Sequence, residues 1–379
     1  MQLMDDFLTA LENRAGVWER IRNTKKPVVL YGTGDGADKL LRVLETNGIT
    51  PSAFFASDEF VRGKRFHGEP VLSFSETIER HPDPMILIAF GSNRPEVLKR
   101  FSDLSKNYET LAPDLPVAGD TLFDREFLTA NRNHFLEADS LFSDEESHRL
   151  FRSVLRYKFT GEIRELFEAV SDPDSVRSEL ICPDRIHIAA DLGAYTGDTI
   201  RELMNDAPSL KQVFAMEPDA KSFAKLSAFA QGQNRIQILC FPFAAWSGGG
   251  TLPFFQDGSR GSAVETGERK HKGTEPVSVQ ACPPDELLAG SVPDWIKYDV
   301  EGAEAEAVRG TAETIRANHP RLQVAMYHRT EDLFALPLLI RSLFPFYRLF
   351  LRRFASVPAW ELQLYAVPEE SLKSDHRIK

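Results

Sequence analysis

The sequence predicts an α/β protein: a C-terminal seven-stranded sheet with an antiparallel last pair, a smaller N-terminal Rossmann-like domain and helices between. Three observations carry this. Apolar runs alternate with helix-length segments from about residue 181, two short links of strand-turn-helix type open with glycine, and residues 119–180 carry aromatic and charged residues at helical spacing. With 379 residues, more than one domain is expected.

Taken in order, "MQLMDDFLTALENRAG" has acids where an export signal needs a basic end, and it reads as an amphipathic helix within residues 1–24. "PVVLYGTGDGADKLLRVLETNG" is then strand, glycine turn and helix. "ITPSAFFASD" adds a strand, "FHGEPVLSFSETIERHP" a turn and a helix opened by Ser75, and "MILIAFGSNRPEVLKRF" a further strand and helix. Residues 25–118 thus form a small parallel domain. The stretch 119–180 is a helical connector, with His134 and His148 on solvent-facing positions. Residues 181–379 give seven strands in "HIAADLG", "QVFAMEP", "IQILCFPFAAWS", "DWIKYDVEG", "RLQVAMYHR", "FYRLFLRRF" and "WELQLYAV", the last two joined as in a hairpin.

Composition excludes several classes. A net charge of −11 provides no field for a phosphate backbone, so nucleic acid is not an expected partner. The most apolar late stretch is interrupted by Arg341, Pro345, Arg348, Arg352 and Arg353, so no membrane span is expected. Three separated cysteines match no metal or disulfide framework, and a cytoplasmic location fits.

Chemistry concentrates at the predicted strand ends. Asp191 before Gly193 in "DLGAYTG" would repel a pyrophosphate but offset the positive charge of S-adenosylmethionine, with Gly193 and Gly197 admitting the methionine part. Glu217 in "FAMEPD" can accept both ribose hydroxyls of an adenosine. Ala194, Tyr195 and Pro218 in these two turns are counted with the cofactor site. So are Ala244, Ala245 and Trp246, near the adenine, Trp246 either stacking on it or filling a core. Asp198 and Thr199 read as helix caps.

"DWIKYDVEGAEAEAV" places Lys297, Asp299 and Glu301 at period two. Asp299 and Glu301 are assigned to the site, Asp299 to cofactor as well, and Lys297 is their deeper ion-pair partner. His328, with an unperturbed imidazole near pH 6.5, is the candidate general base. A divalent cation on Asp299 and Glu301 is left open, but no metal is assigned. Arg348, Arg352 and Arg353 either bind an anionic acceptor group or line an exposed strand edge. The segment 256–276 is a polar loop.

"DLGAYTGDT", "AMEPD", "IKYDVEGAE" and "YHRTEDL", in this order, resemble the FkbM-type S-adenosylmethionine-dependent methyltransferases over about residues 181–368, and the connector resembles the region before that domain in one subgroup. The resemblance implies a methyltransferase and supports a Tyr-His pair at 327–328, while Tyr195 and Arg353 depart from the family pattern. Residues 25–118 resemble the Rossmann-like domain of sugar O-acyltransferases, which implies Gly32, Gly34 and Asp58 flanking a nucleotide or sugar; otherwise this domain serves interaction. O-methylation of a sugar-containing or secondary-metabolite acceptor follows as the expectation. The rivals are a catalytically silent nucleotide-sugar-binding or scaffold protein and a nicotinamide oxidoreductase. A homo-oligomer is left open.

Overall fold

The computed structural model describes residues 2–61, 63–255, 263–264 and 277–375. Six strands come first: β1 (Val28–Tyr31), β2 (Ala53–Phe55), β3 (Arg65–Phe66), β4 (Glu69–Leu72), β5 (Met85–Ile88) and β6 (Glu109–Leu111). They form one sheet in the order β3-β4-β2-β1-β5-β6, parallel except for β3. "VVLY" and "MILI" are buried along their whole length, as central parallel strands covered on both faces must be.

The segment read as a turn before the second helix folds as β3 and β4. That helix, Phe74–Arg80, is opened by Ser73 and not by Ser75. Ser73 Oγ accepts the Glu76 N–H at 3.1 Å and Glu76 Oε2 accepts the Ser73 N–H at 2.8 Å, a reciprocal capping box. The N-terminal helical stretch is two helices, Gln2–Glu12 and Val17–Asn23.

The C-terminal part holds β7 (Ile188–Leu192), β8 (Gln212–Met216), β9 (Gln237–Phe241), β10 (Phe243–Ala245), β11 (Gly250–Phe255), β12 (Ala263–Val264), β13 (Val277–Cys282), β14 (Trp295–Tyr298), β15 (Arg321–Ala325), β16 (Tyr347–Arg353) and β17 (Leu362–Pro368). The main sheet has the expected seven strands in the order β16-β17-β15-β14-β7-β8-β9, with β17 antiparallel to both neighbours. "IQILCFPFAAWS" is not one strand. Pro242 has no N–H to extend the ladder, so β9 stops at Phe241 and β10 pairs instead with β13, in a four-stranded sheet absent from the sequence reading. Most of the segment 256–276 lies outside the described residues.

Helices Arg125–Ala130, Arg132–Leu141, Glu145–Thr160 and Arg164–Glu168 occupy the expected connector. They do not merely link. Glu145–Thr160 packs on β16 and Arg132–Leu141 on the helix Asp332–Leu343, so Tyr31, Phe101, Phe135, Phe151, Ile296 and Leu351 belong to one continuous apolar core. Two arginines lock this joint. Arg352 reaches Asp144 Oδ2 at 2.5 Å and Ser147 Oγ at 3.0 Å. The wholly buried Arg353 donates to the carbonyls of Leu166 (2.6 Å), Ala169 (2.7 Å) and Ser356. Neither lines an exposed edge nor the cavity described below, because both are buried and spend these hydrogen bonds within the fold. Among the described residues no helix is long and apolar enough to cross a membrane.

Candidate active site

Parallel sheets bind ligands at the carboxyl ends of their strands, where neighbouring strands connect in opposite directions. In the main sheet that point lies between β7 and β14, and in the N-terminal sheet between β1 and β5. Both open into one cavity of about 1140 Å³. The N-terminal side supplies Asp35, Lys39 and Phe90 to Asn93, and the C-terminal side Gly193, Tyr195, Glu217, Asp299 and Glu301. Backbone hydrogen bonds between Ser92 and Val357, and from Ala118 N–H to the His328 carbonyl at 2.9 Å, hold the two sides together.

Of the residues assigned from sequence, Gly193, Tyr195, Glu217, Pro218, Ala244, Ala245, Asp299 and Glu301 line this cavity. Glu217 is the best placed. The N–H of Tyr195 donates to its Oε2 and that of Asp219 to its Oε1, both at 2.8 Å, which fixes the carboxylate plane. Burial raises its pKa to about 7 against the pull of those two donors.

Five assigned residues do not line it. Asp191 is 1% exposed and stands beside Lys297 in the β7–β14 register, with Nζ 3.8 Å away and no hydrogen bond to either carboxylate oxygen. Burial raises it to about 7, and the charge that faces it within the fold is that of Lys297. Ala194 is buried. Gly197 has φ 82° and lies under the Phe229 ring, and Gly193 has φ 89° with the Asp299 carbonyl only 1.9 Å from where a Cβ would stand. These glycines therefore answer to neighbouring protein atoms first, whereas the sequence reading gave them to the methionine part. Trp246 packs in the apolar cluster of the small sheet with Ala244, Phe254 and Val279.

His328, the fifth, is wholly buried. Its Nδ1 is 2.8 Å from Glu304 Oε1, and its Nε2 is 3.5 Å from Asp299 Oδ1 and from Glu301 Oε2. Burial alone would lower its pKa, but Glu304, Glu301 and Asp299 outweigh burial and raise it to about 10. With no cation beside it, the imidazole is held in its protonated form by these carboxylates, unlike the unperturbed histidine expected of a general base.

Strand β14 ends at Tyr298, so Asp299 and Glu301 sit in the following turn and Glu301 takes a left-handed φ of 55°. Lys297 pairs with Asp299 Oδ2 at 3.1 Å and donates to Thr199 Oγ1 at 3.1 Å; its partners are Asp299 and Asp191, not Glu301. Asp198 and Thr199, read as caps, both line the cavity.

Residues 191–357 match the family model described as the methyltransferase FkbM domain. The chain carries an FkbM methyltransferase domain. Its whole architecture, N-terminal sheet included, superposes on the crystal structure of methyltransferase FkbM from Methylobacillus flagellatus with a TM-score of 0.71, 21% identity, and coverage of 96% of this chain and 99% of that one. At that identity the likeness shows the fold alone. Fibrillarin from Aeropyrum pernix (TM-score 0.30, 12% identity, 48% of this chain and 66% of that one) and precorrin-6y C5,15-methyltransferase from Geobacter metallireducens (0.32, 12%, 53% and 94%) are too distant to add anything. No curated protein matches the chain.

Around the FkbM domain the sequence reading missed Phe243 and Phe254 beside the two alanines, Tyr327, and the wall made by Asp35, Lys39, Phe90, Asn93 and Trp360. Only the glycine turn at 32–36 hinted at the last group. Gly32, Gly34 and Asp58 do not line the cavity, while Asp35 and Gly36 of the same turn do.

Proposed function

We propose that the FkbM domain transfers the methyl group of S-adenosylmethionine to a hydroxyl of a sugar-containing or secondary-metabolite acceptor. The observation that carries this is Glu217. It is a carboxylate at the end of β8, beside the point where the main sheet reverses, oriented by two backbone N–H groups and lining the cavity. Ionised, it can accept two ribose hydroxyls. Phe243, Ala244, Ala245 and Phe254 offer an apolar slot for an adenine. The methionine part and its sulfonium fit between Tyr195, Asp198 and Asp299, where acids outnumber the single Lys297.

Methyl transfer is an in-line displacement whose rate depends on holding the acceptor oxygen against the methyl carbon. The opposite wall suits a polyhydroxylated acceptor. Phe90, Tyr327 and the half-exposed Trp360 present aromatic surface, interleaved with the hydrogen-bonding groups of Asp35, Ser92 and Asn93. Aromatic faces pack on the C–H face of a sugar ring while polar groups take its hydroxyls.

The test is calorimetric titration with S-adenosylhomocysteine, NADH and a UDP-sugar, in wild type and in Glu217→Ala. Micromolar binding of S-adenosylhomocysteine, weakened at least tenfold in the variant, is the expected result. Binding of NADH without S-adenosylhomocysteine would overturn the proposal.

A further inference from the structure

Four carboxylates, Asp299, Glu301, Glu304 and Asp332, gather round His328 at the ends of β14 and β15. Glu304 (1% exposed) and Asp332 (4%) are buried, while Asp299 and Glu301 line the cavity. Opposing them are His328 itself, Lys297 on Asp299, and Lys39 toward Glu301. Four carboxylates thus face three cations, and burial raises Glu301 and Asp332 to about 8, so the cluster is held together with part of its negative charge suppressed.

The contacts are ordered. Glu304 Oε1 accepts the Val300 N–H at 2.9 Å and sits 2.8 Å from His328 Nδ1, so it holds the imidazole from behind. The other nitrogen, Nε2, is aimed between Asp299 and Glu301, 3.5 Å from an oxygen of each, and makes no hydrogen bond. Asp299 is itself oriented, Oδ2 by Lys297 and Oδ1 by the Tyr327 hydroxyl, which donates at 3.2 Å. A histidine backed by a carboxylate on one nitrogen, with the other nitrogen facing further acids, is the arrangement of a metal ligand and its supporting shell. Two ligand atoms on one ion at bond lengths of about 2.1 Å lie about 3 to 3.5 Å apart, close to the spacing seen here. Ligand atoms of Asp299, Glu304 and His328 also fall within 4.8 Å of one another.

We propose that His328 Nε2, releasing its proton to water, binds a divalent cation together with Asp299 and Glu301 at the floor of the cavity, with Glu304 as the carboxylate that orients the histidine. Two hard oxygen donors and one imidazole suit Mn²⁺ or a similar first-row ion. The sequence left a divalent cation on Asp299 and Glu301 open, and the geometry adds His328 as the third ligand. If the methyltransferase reading holds, the ion takes the acceptor hydroxyl oxygen and makes it more acidic. The hydroxyl proton leaves to water, the O–CH₃ bond forms, and the S–CH₃ bond breaks with its electron pair remaining on sulfur.

The test needs neither donor nor acceptor. Chelator-treated protein is titrated with Mn²⁺ alone, free ion being read by electron paramagnetic resonance, in wild type, Glu301→Gln, Asp299→Asn and, as control, the cavity residue Glu361→Gln. One saturable site per chain, weakened at least tenfold in Glu301→Gln and Asp299→Asn but kept in Glu361→Gln, is expected. Circular dichroism confirms that each variant is folded. Absence of a saturable site in wild type, or equal affinity in wild type and a folded Glu301→Gln, would overturn the proposal. Intact S-adenosylhomocysteine binding in the same sample would show that the methyltransferase reading survives.

Discussion

The two walls of the cavity are built differently. On one, Tyr195 and Glu217 stand just past the ends of β7 and β8, and Ala244 and Ala245 lie at the end of β10, so each reaches the cavity from its own strand. On the other, Asp35, Phe90, Asn93, Tyr327 and Trp360 come from both sheets, up to 325 positions apart in the chain, and converge only because the helical core fixes one sheet against the other. The first wall is local geometry; the second is packing. Donor binding should therefore tolerate changes that acceptor binding does not, and the reverse.

The largest effect should come from breaking the contact where β7 meets the turn after β14. Gly193→Ala puts a Cβ 1.9 Å from the Asp299 carbonyl at φ 89°, so a loss of about 3 kcal/mol or more is expected in urea unfolding, together with loss of S-adenosylhomocysteine binding. Wild-type stability would show that the turn yields and that the two walls are not locked there. Next is Arg353→Met, which removes the donor to three carbonyls between helices and sheet. About 2 to 3 kcal/mol should be lost, read by thermal unfolding, since buried carbonyls are left unpaired.

The donor wall can be probed by pH. Glu217, raised by burial from 4.5 to about 7, is neutral below that pH and ionised above it, and only the carboxylate accepts two hydroxyls. Affinity for S-adenosylhomocysteine should therefore fall about tenfold between pH 8 and pH 6, following the ionised fraction, and calorimetry on Glu217→Gln should show this dependence removed. The smallest effect belongs to the acceptor wall. Trp360→Ala should raise the KM for the acceptor by about 1 kcal/mol while leaving S-adenosylhomocysteine binding unchanged. A change in donor affinity instead would merge the two walls into one.

The sequence was most legible where a pattern is short-range. The seven strands with their antiparallel last pair, the helical segment and the strand-end position of Glu217 and Asp299 all rest on periodicity and turn spacing. It misled where a residue's neighbour comes from afar. Asp191 looks like a ligand carboxylate until β14 sets Lys297 beside it, and His328 looks like a base until Glu304, Glu301 and Asp299 close round it. Arg353 read as an anion ligand or an exposed edge residue because nothing in "FYRLFLRRF" shows the helices that cover it.

By itself, then, the sequence determined the seven main-sheet segments, the antiparallel last pair and which acids stand near their carboxyl ends, because side-chain alternation and turn chemistry act over a few residues. Tertiary structure alone decided which of those acids line the cavity and which pair with a cation inside the protein. Burial and ionisation depend on groups brought within a few ångströms by folding, and no local pattern encodes that distance.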